Sequence, residues 1–97
     1  FPLQNIHEHQ VEFMRQYEEQ GGISFLLIYY THRQKCYYLR FSEMMKYWER
    51  MEQGGPKNFK YEELSPAFFV PAAGGIALHY LVAMQEDLKE RNVLVNL

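Results

Sequence analysis

The sequence predicts an α/β domain, and three observations predict it. Ile23 to Tyr30 is an almost unbroken apolar run rich in aromatic and branched residues, the pattern of a strand covered on both faces. Beyond the polar connection Thr31–Lys35, Cys36 to Phe41 reads as a second strand, antiparallel to the first. Segments with a helical period surround these strands.

Taken in order, Asn5 is a fitting N-cap and Ile6 to Gln20 a helix, ended by Gly21-Gly22 in a left-handed C-terminal cap. At 100° per residue Ile6, Phe13, Met14 and Tyr17 form its apolar stripe, with Gln10 in the middle. Burying that amide unpaired costs about 1–3 kcal/mol, so it needs partners. It either bonds nearby backbone and orients the core, or faces a cleft and reaches a water or a phosphate.

Ser42 can cap the next helix, which runs to about Gln53 with Met44, Trp48 and Met51 as its stripe and Phe41 as a staple. Gly54-Gly55-Pro56 ends it. A helical turn is expected around Tyr61–Leu64, and a short edge strand over Ala67–Val70 closed by Pro71. Ala72–Gly75 makes a turn. The last helix, roughly Leu78 to Arg91, is expected to bury Leu78, Leu81, Val82 and Leu88, and the tail Val93–Leu97 is apolar enough to want cover. A three-stranded sheet is thin for a free-standing layer, so Ile23–Tyr30 wants a second neighbour, expected from strands on the N-terminal side.

Composition narrows the function classes. The chain has 97 residues, ten Lys plus Arg, twelve Asp plus Glu and 47% apolar residues, the content of one small domain or part of one. That apolar content excludes disorder, and no apolar run approaches the roughly 18–20 residues that span a bilayer, so no membrane partner is expected. The segment opening at Phe1 has no charged n-region or apolar h-region, so no secretion signal is expected. Cys36 is alone, which excludes an internal disulfide and fits a reducing cytosol. A net charge of −2 argues against a strongly basic nucleic-acid module but leaves room for local patches.

Asp87 is the only aspartate, and the glutamates lie mostly on faces that read as solvated, so a carboxylate-rich metal site has little to be built from and no metal ligand is expected here. His7 and His9 are two apart, about 200° around a helix, and do not make a zinc pair. His32 and His79 have no ligand spacing, and Cys36 reads as a small buried hydrophobe. Lys46 and Arg50 are four apart on one helix, with Lys57 and Lys60 in the loop after it. Folding that loop back along the helix would put four cations on one edge, able to meet phosphates. Glu43, Glu49 and Glu52 can instead pair with them on a solvated face.

Several segments together resemble the RecU family of Holliday-junction resolvases, also called penicillin-binding-protein-related factor A. They are Phe1-Pro2-Leu3-Gln4-Asn5-Ile6-His7-Glu8-His9-Gln10, then Gly21-Gly22-Ile23-Ser24-Phe25, then Trp48-Glu49-Arg50 with Gly54-Gly55, Lys57, Phe59 and Tyr61-Glu62-Glu63-Leu64, and finally Leu78, Tyr80 and Leu81. The resemblance implies a restriction-endonuclease-like mixed sheet with flanking helices, a cytoplasmic homodimer, and Mg²⁺-dependent nicking of four-way DNA junctions. In the family an aspartate and a Glu-x-Lys pair hold the ions, on strands just before the Phe-Pro-Leu block. Residues 1–97 would then be the C-terminal part of one nuclease domain, lacking those catalytic strands and inactive alone. Carried over residue by residue, the resemblance implies that Gln10 supports catalysis and that His9, Lys57 and Lys60 contact DNA, and the charge pattern adds Arg50 to the expected contacts. Pro56 and His79 depart from the family, which more often has a basic and an acidic residue there. A non-catalytic DNA- or protein-interaction domain derived from the same fold is the alternative.

Overall fold

The computed structural model describes residues 2–71 and 76–95, with side-chain surroundings for 2–70 and 81–91. Two units divide the chain: residues Phe1–Phe25 with Arg40–Leu64, and Leu26–Leu39 with Ser65–Leu97.

The first unit opens with a 3-10 turn at Leu3–Asn5, followed by helix α1 at Glu8–Glu19. Asn5 is therefore not the cap of α1; His7 is. The reason lies three residues on, where Gln10 Oε1 accepts the His7 backbone N–H at 2.9 Å, half of a capping box. That bond satisfies a donor at the helix start, which no side chain at Asn5 does. At the other end Gly21 N–H reaches the Glu18 carbonyl and Gly22 N–H the Tyr17 carbonyl, a Schellman closure.

The expected stripe of α1 is split, with Ile6 buried but its aromatic members on the surface. Val11 is buried and Met14 half-buried, whereas Phe13 is 69% and Tyr17 48% exposed, with Gln10 exposed beside them. The unit's core selects the 11–14–18 row of the helix, one step round from the row the aromatic residues occupy. Ser24, at the end of the unit's first segment, ties back to this row, donating through Oγ to the Met14 carbonyl at 3.2 Å and through its N–H to Glu18.

Helix α2 spans Phe41–Glu52. Ser42 and Phe41 lie inside it, so neither caps nor staples; Arg40 is the N-cap, with no side-chain cap bond. The first turn is held instead by buried Glu43, whose carboxylate accepts from Arg40 Nη2 at 3.2 Å and Tyr47 Oη at 2.7 Å. A carboxylate at that position also complements the helix dipole. Met44, Tyr47 and Trp48 are buried and Met51 half-buried, so the predicted stripe is present and extended by Tyr47. Gly54 takes φ +89°, where a side chain is strained. A Cβ on Gly55 would meet the Arg50 carbonyl oxygen at 2.6 Å.

The second unit holds most of a three-stranded sheet in the order β1 (Phe25–Tyr30), β2 (Lys35–Arg40), β3 (Phe69–Pro71). Cys36 faces Val70 and Tyr37 faces Phe69 across the antiparallel β2–β3 pair. The described sheet is antiparallel, and no parallel pair that would make it mixed occurs among the described residues. β2 is central, with Cys36, Tyr37, Tyr38 and Leu39 all buried. β1 lies at one end of the order, and the expectation of cover on both its faces is corrected: Ile28 is buried, but Leu27 is 46% and Tyr29 53% exposed. Alternate side chains of a strand point to opposite faces, and within this unit only the Ile28 face is closed. The β1–β2 connection is a 3-10 turn, Thr31–Arg33, followed by Gln34 in the left-handed region at φ 49°.

Ala67, read as strand, falls in a 3-10 turn at Pro66–Phe68, and β3 starts at Phe69 because Pro66 favours the first position of a helical turn. β3 sits at a sheet edge, where Pro71 removes no ladder donor that is needed. The Ala72–Gly75 turn lies outside the described residues, as do the side chains of Leu78 and of the tail.

Helix α3 spans Ile76–Val95, and its burial inverts the expectation. Leu81, Val82 and Leu88 are exposed, while Ala83 and the charged Asp87 are buried, each 2% exposed. Asp87 is accommodated because Tyr38 Oη donates to it at 2.7 Å, and Arg91 donates through Nε at 2.9 Å and Nη2 at 3.2 Å. Apolar periodicity could not reveal this, since the helix is turned by a polar network. Phe69 packs edge-on to Tyr37 at 4.8 Å, and the Ser65 N–H donates to Tyr37 Oη at 3.1 Å. Burial pushes the Cys36 thiol pKa up, which keeps it protonated and inert.

Candidate nucleic-acid interface

The segments quoted for the resemblance fall in the first unit, except Leu78, Tyr80 and Leu81, which belong to the second. The Leu3 N–H donates to the Lys57 carbonyl at 2.9 Å, and Pro2 forms an isolated antiparallel bridge with Asn58. Phe59, buried to 1% exposure, stacks on Tyr47 of α2 with ring centroids 4.6 Å apart and planes 15° apart. The loop after α2 is thus held by backbone pairing on one side and an aromatic stack on the other.

Arg50 supplies the third attachment. Its Nη1 donates to Glu63 Oε1 at 2.6 Å, and its Nη2 to Glu63 Oε2 at 3.3 Å and the Asn58 carbonyl at 3.1 Å. The guanidinium also lies over the Tyr47 ring, 5.2 Å from its centroid. This bidentate fork closes the loop between the helix and the 3-10 turn at Tyr61–Glu63. The Lys60 N–H donates to Glu63 Oε2 at 2.8 Å, so one carboxylate fixes both the arginine and the backbone beside Lys60.

The loop does fold back along α2, and Lys57 and Lys60 are exposed on it. Arg50 is on the same edge, but its two terminal nitrogens are engaged and its charge is met by Glu63. Lys46, also exposed, has its Nζ 5.8 Å from the Tyr47 ring centroid. The protruding cations of this edge are therefore lysines, and the arginine shapes the loop that presents them. Glu63 and Asn58 were not singled out for roles, and Glu63 lies 13 residues from Arg50, so no helix or strand spacing could have paired them.

His9 is exposed and belongs to another part of the unit. Its ring stacks on His7 with centroids 5.6 Å apart and planes 7° apart, along a groove of about 800 Å³ lined also by Glu8, Glu12, Trp48 and Glu52. The stacking arises because His7 precedes the first helical residue, so the two rings are not separated by the 200° of a regular helix. Gln10 is exposed at the same helix start, its carbonyl oxygen used by the cap and its amide nitrogen left to solvent. Among the described residues no group of three or more His, Cys, Asp or Glu side chains is arranged to hold a metal ion. Asp87, Glu43 and Glu63 are each occupied by cationic or hydroxyl partners, so these residues do not fit a Mg²⁺ site.

The Arg50 guanidinium, and next the Lys60 N–H, hold the Glu63 carboxyl down to about 2 from its ordinary 4.5. A lowered folded-state pKa stabilises the fold above the unfolded value and loses that effect as pH falls through the folded one. The clamp is therefore complete at neutral pH and weakens between about 4.5 and about 2. Glu63→Gln should remove this dependence, so that stability followed by fluorescence falls less steeply than wild type over that window. Parallel curves would show that Glu63 contributes nothing to acid sensitivity.

A family model described as Recombination protein U matches residues 1–86. The Holliday junction resolvase RecU of Levilactobacillus brevis is 36% identical over 89 residues, covering 91% of this chain and 44% of its own length. That of Bacillus pumilus is 45% identical over 67 residues, 69% of this chain and 32% of its own, and that of Bacillus subtilis 35% over 74 residues, 76% and 35%. The chain spans less than half the length of each of these relatives.

Proposed function

The chain belongs to the Recombination protein U family, and on that premise we propose that it forms the C-terminal part of a restriction-endonuclease-like nuclease domain that resolves Holliday junctions in recombination and repair. The observation that carries the reading is the pinned loop of the first unit, where Lys57 and Lys60 stand exposed on backbone fixed by Leu3, Phe59 and the Arg50–Glu63 pair. A rigid loop loses little entropy when its lysines meet phosphates, so each contact is retained as affinity. Lys57 and Lys60 bind the DNA backbone, Arg50 is a positioning residue for them, and His9 contacts DNA from the start of α1. Mg²⁺ would supply an activated water and stabilise the leaving oxygen. The described residues do not hold it, and its carboxylate ligands are expected in the remainder of the full-length enzyme. The enzyme acts in the cytoplasm as a homodimer, for which the exposed Leu81, Val82 and Leu88 of α3 offer an apolar face.

The test uses labelled four-way junctions with Mg²⁺. The 97-residue chain should bind them and leave them uncut. Lys57→Glu should weaken binding and reduce the slope of log K against log salt by about one. Nicking by this chain, or unchanged affinity for the variant, would overturn the corresponding part of the reading.

Gln10 is the supporting residue at the cleavage site, through the outward amide nitrogen. Gln10→Glu keeps an oxygen for the His7 cap and removes that donor. In the full-length enzyme it should lower the cleavage rate while leaving junction binding near wild type, and an unchanged rate would reduce Gln10 to a cap. The same surfaces fit a non-catalytic interaction domain, which the exposed Phe13–Tyr17 pair favours; cleavage by the full-length protein separates the two.

A further inference from the structure

We propose that the tip of the β1–β2 hairpin is a second nucleic-acid surface, with His32, Arg33 and Lys35 placed to meet phosphates and Tyr29 to stack on a base face exposed where duplex stacking is interrupted. This rests on the junction-binding reading above but uses residues of the other unit. The first observation is charge. Residues 20–42 contain no carboxylate side chain, in a chain whose acids outnumber its lysines and arginines by twelve to ten, yet they carry Arg33 and Lys35 at the turn, besides Arg40, which Glu43 pairs. The other long acid-free stretch, 64–85, has no lysine or arginine, so the positive charge of 20–42 does not follow simply from a shortage of acids.

The second observation is presentation. Thr31 to Lys35 are all exposed, and the 3-10 turn followed by left-handed Gln34 packs three basic side chains into four residues at the end of a ladder. The Lys35 side chain lies along Phe69, Nζ 5.7 Å from the ring centroid, so its stem is supported while the ammonium stays exposed. The third is the aromatic residue beside the turn. Tyr29 is 53% exposed on the open face of β1, although a tyrosine in a strand normally gains by being covered. An exposed aromatic ring next to clustered cations is the combination that holds single-stranded segments, where bases stack on rings and phosphates follow the charge. A branched junction interrupts stacking where its arms meet and exposes base faces there, whereas an unbroken duplex does not.

The experiment measures binding of the 97-residue chain to a four-way junction and to a duplex of the same arm sequence, by fluorescence anisotropy across a salt series. The double variant Arg33→Gln, Lys35→Gln should reduce the log–log salt slope by about two on the junction. Tyr29→Ala should lower junction affinity roughly tenfold with little change on duplex, and Tyr29→Phe should restore it. Circular dichroism confirms that each variant is folded. Junction binding with an unaltered slope in the double variant, or equal loss on junction and duplex for Tyr29→Ala, overturns the hairpin assignment and leaves the junction reading standing. Failure of the wild-type chain to bind either DNA overturns both.

Discussion

Asp87→Ala is expected to destabilise the second unit by about 1–3 kcal/mol, the cost of taking the acceptor from the buried Tyr38 hydroxyl, while the half-exposed Arg91 can turn to water. The carboxylate accepts from the buried Tyr38 hydroxyl at 2.7 Å and from two nitrogens of Arg91. Truncation removes the acceptor these donors share and leaves a cavity beside a fully buried tyrosine. For a chain of this length 1 kcal/mol moves the melting temperature by about 4–8 °C, so thermal denaturation should show a fall of at least about 4 °C. Asp87→Leu combined with Tyr38→Phe removes both polar partners across this contact and should recover part of the loss. A fall of less than about 4 °C for Asp87→Ala would mean that the network orients α3 without stabilising it.

Phe59→Ala should have a larger effect on the first unit, about 3–5 kcal/mol for deleting a large buried ring. It should also act on function, because Phe59 stands between Lys57 and Lys60 and anchors their loop through the Tyr47 stack. Junction affinity should fall even at temperatures where the variant remains folded by circular dichroism, since the lysines lose their fixed backbone. Phe59→Leu keeps most of the apolar volume and should retain most of both properties. Loss of stability with unchanged affinity would show that the loop need not be rigid to bind DNA.

These two residues also show where sequence reasoning reached and where it stopped. Phe59 belongs to a run that the resemblance picks out with Lys57 and Tyr61–Leu64, but the sequence reading gave it no place in the core; its burial comes from the Tyr47 ring on the helix the chain has just left. Asp87 lies in a charged run that reads as solvated, and nothing local distinguishes it from Glu86 or Glu90. Its burial depends on Tyr38, 49 positions earlier, and on Arg91 one helical turn away. Gln10 was visible as a polar residue on an aromatic row, but the row was assigned to the interior. Periodicity gives the angle between residues of one helix and says nothing about which way the helix is turned.

Local signals settled the positions of the elements. The apolar run after Gly21-Gly22, the polar turn at Thr31–Lys35, the glycine pair after α2 and the proline closing β3 each act within a few residues, through φ preference, missing donors and side-chain crowding. The family was legible by resemblance, because the blocks that mark it are contiguous. Three matters were left to the folded chain: the face α1 turns inward, the exposure of one side of β1, and the conversion of Arg50 from a surface cation into the clamp of the lysine loop. Each depends on partners distant in sequence, and a contact between residues brought together by folding has no periodicity along the chain from which it could be read.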